Sequence, residues 1–221
     1  MRQLIGLVAV VVVVAVLVLR LDTNGFGSLL WLAVSILMGV IRAPFAREVE
    51  SNEITRTENA GTERWLLAAV AIGSTVIPLV HLLTGVLSFA DYDLPAWATL
   101  ASLVLVVPGL WLFWRSHADL GRNWSVTTEV RSDHTLTTDG VYRRVRHPMY
   151  TAIWLLFLAY PLLVHNWIAG FAGALAFGVM YVVRVPHEES MMLTEFGDEY
   201  AEYQGRTGRL WPPIGARQPT G

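Results

Sequence analysis

The chain is organised around one polar stretch, Asp133-His134-Thr135-Leu136-Thr137-Thr138-Asp139-Gly140-Val141-Tyr142-Arg143-Arg144-Val145-Arg146-His147-Pro148-Met149-Tyr150. It lies between two apolar blocks, residues 96–114 and 149–164, and holds two of the six histidines and three of the sixteen arginines. Its end is the informative part. Proline disfavours helical geometry in the residue before it and suits the first turn of the helix that follows. His147 is therefore expected at the amino terminus of a helix, where free backbone N–H groups face anionic ligand groups. Tyr142 and Tyr150 read either as interfacial aromatics or as walls for a flat ring.

Working outward, the 221 residues are 54% hydrophobic and 15% charged, with no lysine and no cysteine. Soluble domains carry about 25% charged residues, so the chain reads as an integral membrane protein. The net charge of -2 argues against general nucleic-acid binding. Without cysteine there is no disulfide, thiolate metal site or cysteine nucleophile. Spans are expected at residues 4–19, 26–41, 65–89 and 96–114, the first two shorter than the roughly 20 residues of a full crossing. Residues 42–63, with charges of both signs, read as a solvated connector. Beyond His147, residues 149–164 and 168–183 are separated by three residues and suggest a short helical hairpin. From Pro186 to Tyr203 the pattern turns amphipathic, with Met192, Phe196, Tyr200 and Tyr203 at helical spacing.

This order predicts an all-α membrane fold of about six helices, with four spans in residues 1–114 and a working half in residues 115–221. Fifteen of the sixteen arginines then fall on one side, with only Arg20 opposite. By the positive-inside rule that side is cytoplasmic and holds both termini. Arginine as the only strong base fits a GC-rich bacterial genome, and so a bacterial inner membrane.

A second polar cluster closes the last apolar block. On a helix, Arg184, His187 and Glu188 share one face. A guanidinium emerging from an apolar helix usually has a specific partner or snorkels to headgroups. The pair Glu188-Glu189 also suits an exposed helix start. No HxxxH or HExxH spacing is present, so His134, His147 and His187 carry no metal signature. His81, inside a span, reads as a hydrogen-bonded interhelical residue.

Taken together, His134 to Tyr142, Arg146-His147-Pro148-Met149-Tyr150, the spacing Arg184 to Glu188-Glu189, and Phe196-Gly197-Asp198-Glu199-Tyr200 with Tyr203 resemble the isoprenylcysteine carboxyl methyltransferases. They are also similar to the wider group of membrane methyltransferases that includes phospholipid N-methyltransferases. The likeness covers residues 121–213. It implies a multi-helix membrane enzyme binding S-adenosyl-L-methionine in a cytosol-facing pocket built from the carboxyl-terminal half. The family's cofactor contacts fall on His134, Thr135, Leu136, Thr137, Tyr142, His147, Pro148, Met149, Tyr150, Glu188 and Glu189. One more falls on Thr127, where eukaryotic members have glutamine. Arg184 matches a substrate-linked position, and Arg184 and Glu188 are the expected catalytic pair. Pro186-His187 departs from the polar or acidic pair common in the family.

The implied reaction is methyl transfer to a lipidic or prenylated acceptor that enters from the bilayer. A carboxylate acceptor is already ionised and needs no base, whereas a lipid amine would need one, with Glu188, Glu189 and His187 as candidates. An NADPH-dependent sterol or enone reductase shares the Arg-His-Pro-x-Tyr element and is the competing class. A non-catalytic membrane partner is the third.

Overall fold

The computed structural model describes residues 2–49, 56–57, 60–121, 129–130 and 135–213. Thr127 and His134 lie outside them. Most of the described residues are helical; loops join the helices, and a two-residue ladder pairs β1 (Arg56–Thr57) antiparallel to β2 (Glu129–Val130). The helices are α1 (Arg2–Leu19), α2 (Leu21–Asn24), α3 (Gly27–Val49), α4 (Ala60–Ala71), α5 (Ile77–Thr84), α6 (Ala96–Ala101), α7 (Leu103–Leu120), α8 (Pro148–Val164) and α9 (Trp167–Arg206). A π-helical turn, Ile72–Val76, joins α4 to α5 without a break. Six apolar helical stretches result. Among the described residues four are long and apolar enough to cross a membrane; Val10–Leu19 and α8 are shorter.

The core is built around α8. Most of one side and the far end of it are buried, with Ala152, Leu156, Phe157, Ala159, Tyr160, Leu163 and Val164 enclosed and Leu158 exposed, the pattern of a helix largely surrounded by neighbours. It packs most heavily against α7 and α9. Large apolar residues of the outer helices, such as Val104, Val107, Leu175 and Val182, are exposed, as a bilayer-facing surface requires. Exposed rings at one end of the bundle include Trp65, Trp114 and Trp211, and at the other Phe89, Trp97 and Trp167. Two such girdles are where amphipathic rings settle at membrane interfaces.

The hairpin expected after His147 is present, and its turn is very short. His165 adopts a left-handed φ of 52°, and the Asn166 side chain caps α9 by accepting from the N–H groups of Ile168 and Ala169. The same Asn166 donates to Asp91 Oδ1 at 2.6 Å and to the Leu87 carbonyl at 2.7 Å. His81 completes this knot, with Nε2 3.3 Å from Asp91 Oδ1. One end of the bundle is thus tied shut by polar contacts.

Two expectations change. The amphipathic segment does not start a new helix at Pro186: α9 carries that proline inside it and is unbroken from Trp167 to Phe196. At about 1.5 Å per residue this stretch is roughly 45 Å long, about one and a half times the hydrocarbon thickness, so it is longer than one crossing needs. Its break falls instead at Gly197, whose φ is 53°, and the kink returns Tyr200 and Tyr203 to the bundle, where both are buried. The stretch 42–63 is also not simply a connector. The third helix continues through Pro44 to Val49, and Glu63, on the first turn of α4, is 6% exposed.

Candidate active site

The open end of the bundle leads into a cavity of about 450 Å³. Its polar end is formed by Thr135, Leu136, Thr137, Tyr142, Arg146, His147, Met149, Tyr150, Arg184 and Glu188. Its deeper wall is apolar, with Leu67, Val70, Phe113, Ile153, Phe157, Phe177 and Met180. Met191, Met192, Tyr200 and Tyr203 from the later part of α9 also line it. Pro148 and Glu189 do not line the cavity.

The loop ahead of α8 is set by Asp119. Its Oδ2 accepts from the Val141 N–H at 2.8 Å, while Oδ1 holds Arg115 at 2.7 Å. Gly140 passes so close, at a left-handed φ of 57°, that a Cβ there would lie 2.1 Å from Asp119 Oδ2. This turn delivers Tyr142 into the wall. The Tyr142 hydroxyl donates to the Ser116 carbonyl at 3.3 Å, and Tyr203 donates to the Tyr142 carbonyl at 2.7 Å. Burial first, then the neighbouring Tyr203, Asp119 and Glu188, push the Tyr142 phenol well above its ordinary pKa. It stays neutral and offers an aromatic face.

His147 is non-helical, at φ −122° and ψ 59°, and precedes the first turn of α8, as its proline requires. Its ring lies between two carboxylates: Nε2 is 3.2 Å from Glu189 Oε1, and Nδ1 is 3.8 Å from Glu188 Oε2. The adjacent glutamates do different work. Glu189 is buried behind the wall, where Arg146 Nε and Arg209 Nε donate to its Oε1 at 3.2 and 3.1 Å. Burial alone would raise its pKa; hydrogen bonds from His147, Arg209 and Arg146 overcome that and hold it at about 2. Glu188 faces the cavity, accepting from Tyr150 at 2.9 Å and from Arg184 Nε at 2.6 Å.

Arg184 also meets Glu63 Oε1 at 3.6 Å. Glu63 belongs to the amino-terminal half, as do Met38 and Arg42 in the cavity wall. None of the three was a candidate from the sequence, because a glutamate in a run of mixed charges gives no local sign of burial. His117, buried on α7 with Nδ1 2.8 Å from the Phe113 carbonyl, lines the cavity as well. Among the described residues no cluster of three His, Asp or Glu side chains could hold a metal ion.

The arrangement has the parts needed for a zwitterionic, aromatic ligand. Glu188 presents a carboxylate, Tyr142 and Tyr150 present aromatic faces, and the start of α8 presents backbone N–H groups. The apolar depth suits a hydrocarbon chain.

Residues 101–194 match the model of the Isoprenylcysteine carboxyl methyltransferase (ICMT) family. The match takes in α7, upstream of the motifs read from the sequence, and stops short of Phe196. The protein-S-isoprenylcysteine O-methyltransferase of Schizosaccharomyces pombe is 32% identical over 79 residues, covering 36% of this chain and 34% of that one. Its namesake from Tribolium castaneum is 36% identical over 92 residues, covering 42% and 33%. The chain thus spans about a third of the length of these curated relatives. A solved structure of the eukaryotic intramembrane Ras methyltransferase ICMT aligns over 73% of this chain and 56% of its own, at 24% identity and a TM-score of 0.48.

Proposed function

We propose that this chain, a carrier of the isoprenylcysteine carboxyl methyltransferase segment over residues 101–194, is an S-adenosylmethionine-dependent membrane methyltransferase. Its acceptor is lipidic or prenylated, and the reaction is most like carboxyl O-methylation. The observation that carries this reading is the two-ended cavity: Arg184 and Glu188 sit where an aromatic, charged end passes into an apolar one.

S-adenosylmethionine, when bound, supplies a methyl group on a sulfonium. The chain's own residues position the partners. Tyr142 and Tyr150 offer faces to the adenine or the sulfonium, and Glu188 suits the ammonium or the ribose hydroxyls. His147 and the N–H groups starting α8 suit the carboxylate end. Thr135, Leu136 and Thr137 complete this end, with His134 and Thr127 beyond the described residues. Arg184 holds the acceptor carboxylate. In-line displacement draws much of its rate from such positioning, and an ionised carboxylate needs no proton removed. Residues 115–221 supply most of this end, while residues 1–114 anchor the chain and close one wall. The open end faces the cytoplasm, with both termini on that side and the chain in a bacterial inner membrane.

The test is calorimetric titration of the purified protein with S-adenosylhomocysteine, run beside NADPH. Micromolar binding of the first, lost in Glu188→Ala, is the expected outcome. NADPH binding alone would refute the reading in favour of a reductase. With labelled S-adenosylmethionine and S-farnesylcysteine, a carboxyl methyl ester releases its label in base. A product stable to base would assign an amine acceptor instead.

A further inference from the structure

The π-turn Ile72–Val76 interrupts a membrane helix at the inner end of the cavity, and such turns often occur at functional sites. Its two hydroxyl residues, Ser74 and Thr75, both line the cavity. Ser74 is 7% exposed. Elsewhere in the bundle, helical hydroxyls return to the carbonyl one turn back: Ser35 to Trp31, Thr84 to Val80, Ser116 to Leu112 and Thr151 to His147. Ser74, inside the π-turn, makes no such bond among the described residues. Among the described residues its hydroxyl meets only Thr75 Oγ1, at 3.5 Å. A hydroxyl whose bonding capacity is unused is costly in hydrocarbon, which makes the pair ready for a polar atom brought by a ligand.

The position is rigid. A Cβ on Gly73 would lie 2.6 Å from the Ala172 carbonyl oxygen, and one on Gly173 would lie 3.0 Å from Ser74 Cα and Cβ. The two helices therefore touch backbone to backbone, and Ser74 has little room to move. Depth follows from the same contacts. Ser74 lies eleven positions after Glu63, and Arg184 eleven positions after Gly173. At about 1.5 Å per residue each helix places the hydroxyl pair roughly 16 Å from the Glu63–Arg184 contact. Ala71 and Thr75, one turn apart, are both exposed and both line the cavity, so the cavity opens there toward the bilayer.

We propose that the Ser74–Thr75 pair recognises an oxygen on the acceptor's hydrocarbon chain. The favoured acceptor is then an amphiphile with a hydroxyl or carbonyl group about 16 Å from the methylated atom, rather than a plain hydrocarbon chain. This rests on the methyltransferase reading for which end of the acceptor meets Arg184.

The probes are dodecanoic acid and 12-hydroxydodecanoic acid, each an anionic head on a chain of similar length, titrated into the full-length protein. The ratio of their affinities is compared between wild type and Ser74→Ala/Thr75→Val, because partition into detergent is common to both proteins. One hydrogen bond in a desolvated site predicts that the ratio favours the hydroxy acid in wild type by about fivefold to tenfold relative to the variant. Equal ratios would overturn the proposal, including the case in which the pair holds only water. Ser74→Ala and Thr75→Val alone, each checked for monodispersity and thermal unfolding, give a second reading should the double variant fail to fold. S-adenosylhomocysteine titration separates the two claims. Equal ratios in wild type and variant with S-adenosylhomocysteine still bound refute the hydroxyl subsite alone, and failure of the wild type to bind S-adenosylhomocysteine refutes the methyltransferase reading.

Discussion

Glu189→Ala is the sharpest test of how the site is held together. Glu189 is 6% exposed and collects Arg146, Arg209 and His147 on one carboxylate. Removing one partner of a buried ion pair typically costs about 3–5 kcal/mol, because the other charge stays buried. Here that charge is Arg146, whose side chain is 11% exposed. Arg209 is 47% exposed, and a pair of that kind contributes only about 0–1 kcal/mol. A loss of about 4 kcal/mol corresponds to a fall in apparent Tm of roughly 8–16 °C for a chain of this size. Arg209→Ala should lower Tm by no more than about 4 °C. The assay is thermal unfolding of the detergent-solubilised protein followed by intrinsic tryptophan fluorescence. A fall below about 4 °C for Glu189→Ala, or one no larger than for Arg209→Ala, would refute the view that Glu189 anchors the loop carrying His147.

The same carboxylate sets an acid limit. Its folded pKa, about 2, lies below the usual value near 4.5, so its stabilisation is complete above about pH 5 and is lost as pH falls toward 2. Wild type should therefore lose Tm steeply across that window, and Glu189→Gln should lose less; parallel curves would refute the assignment. Glu63→Gln removes one carboxylate from beside Arg184 and is expected to reduce kcat/KM about tenfold, with S-adenosylhomocysteine affinity little changed. Unaltered turnover would return Glu63 to a purely structural role. Gly140→Ala puts a methyl group 2.1 Å from Asp119 Oδ2 at a left-handed φ, with an expected cost of about 2–3 kcal/mol. An unchanged Tm would show that the loop can shift. Tyr203→Phe removes the bond to the Tyr142 carbonyl and should cost about 1 kcal/mol, read in the same assay.

Local chemistry makes much of this protein legible in its sequence. Apolar runs of bilayer length fix the order of the helices, because hydrocarbon tolerates little else. His147-Pro148 marks a helix start because proline constrains both its own φ and the residue before it. Arg184 and Glu188 pair by spacing alone, because four residues on a helix bring side chains together. The resemblance carried by these residues agrees with the family match over residues 101–194.

What the sequence left open involves residues far apart in the chain. Glu63 meets Arg184 across 121 positions, and nothing near Glu63 distinguishes it from the exposed charges of its neighbourhood. Glu188 and Glu189 look alike as a dipeptide, yet the helix points one into the cavity and the other at Arg146 and Arg209. Pro186 suggested a boundary, but α9 runs through it, and the turn falls at Gly197 so that Tyr200 and Tyr203 can reach the bundle. Ser74 and Thr75 read as two small polar residues in a span until packing against Gly173 gave them a rigid place in the cavity wall. Periodicity and residue type determined which segments cross the membrane and which ends carry charge. Only the packing of six helices decided which charges are shut away from water, and so which of them are held in place.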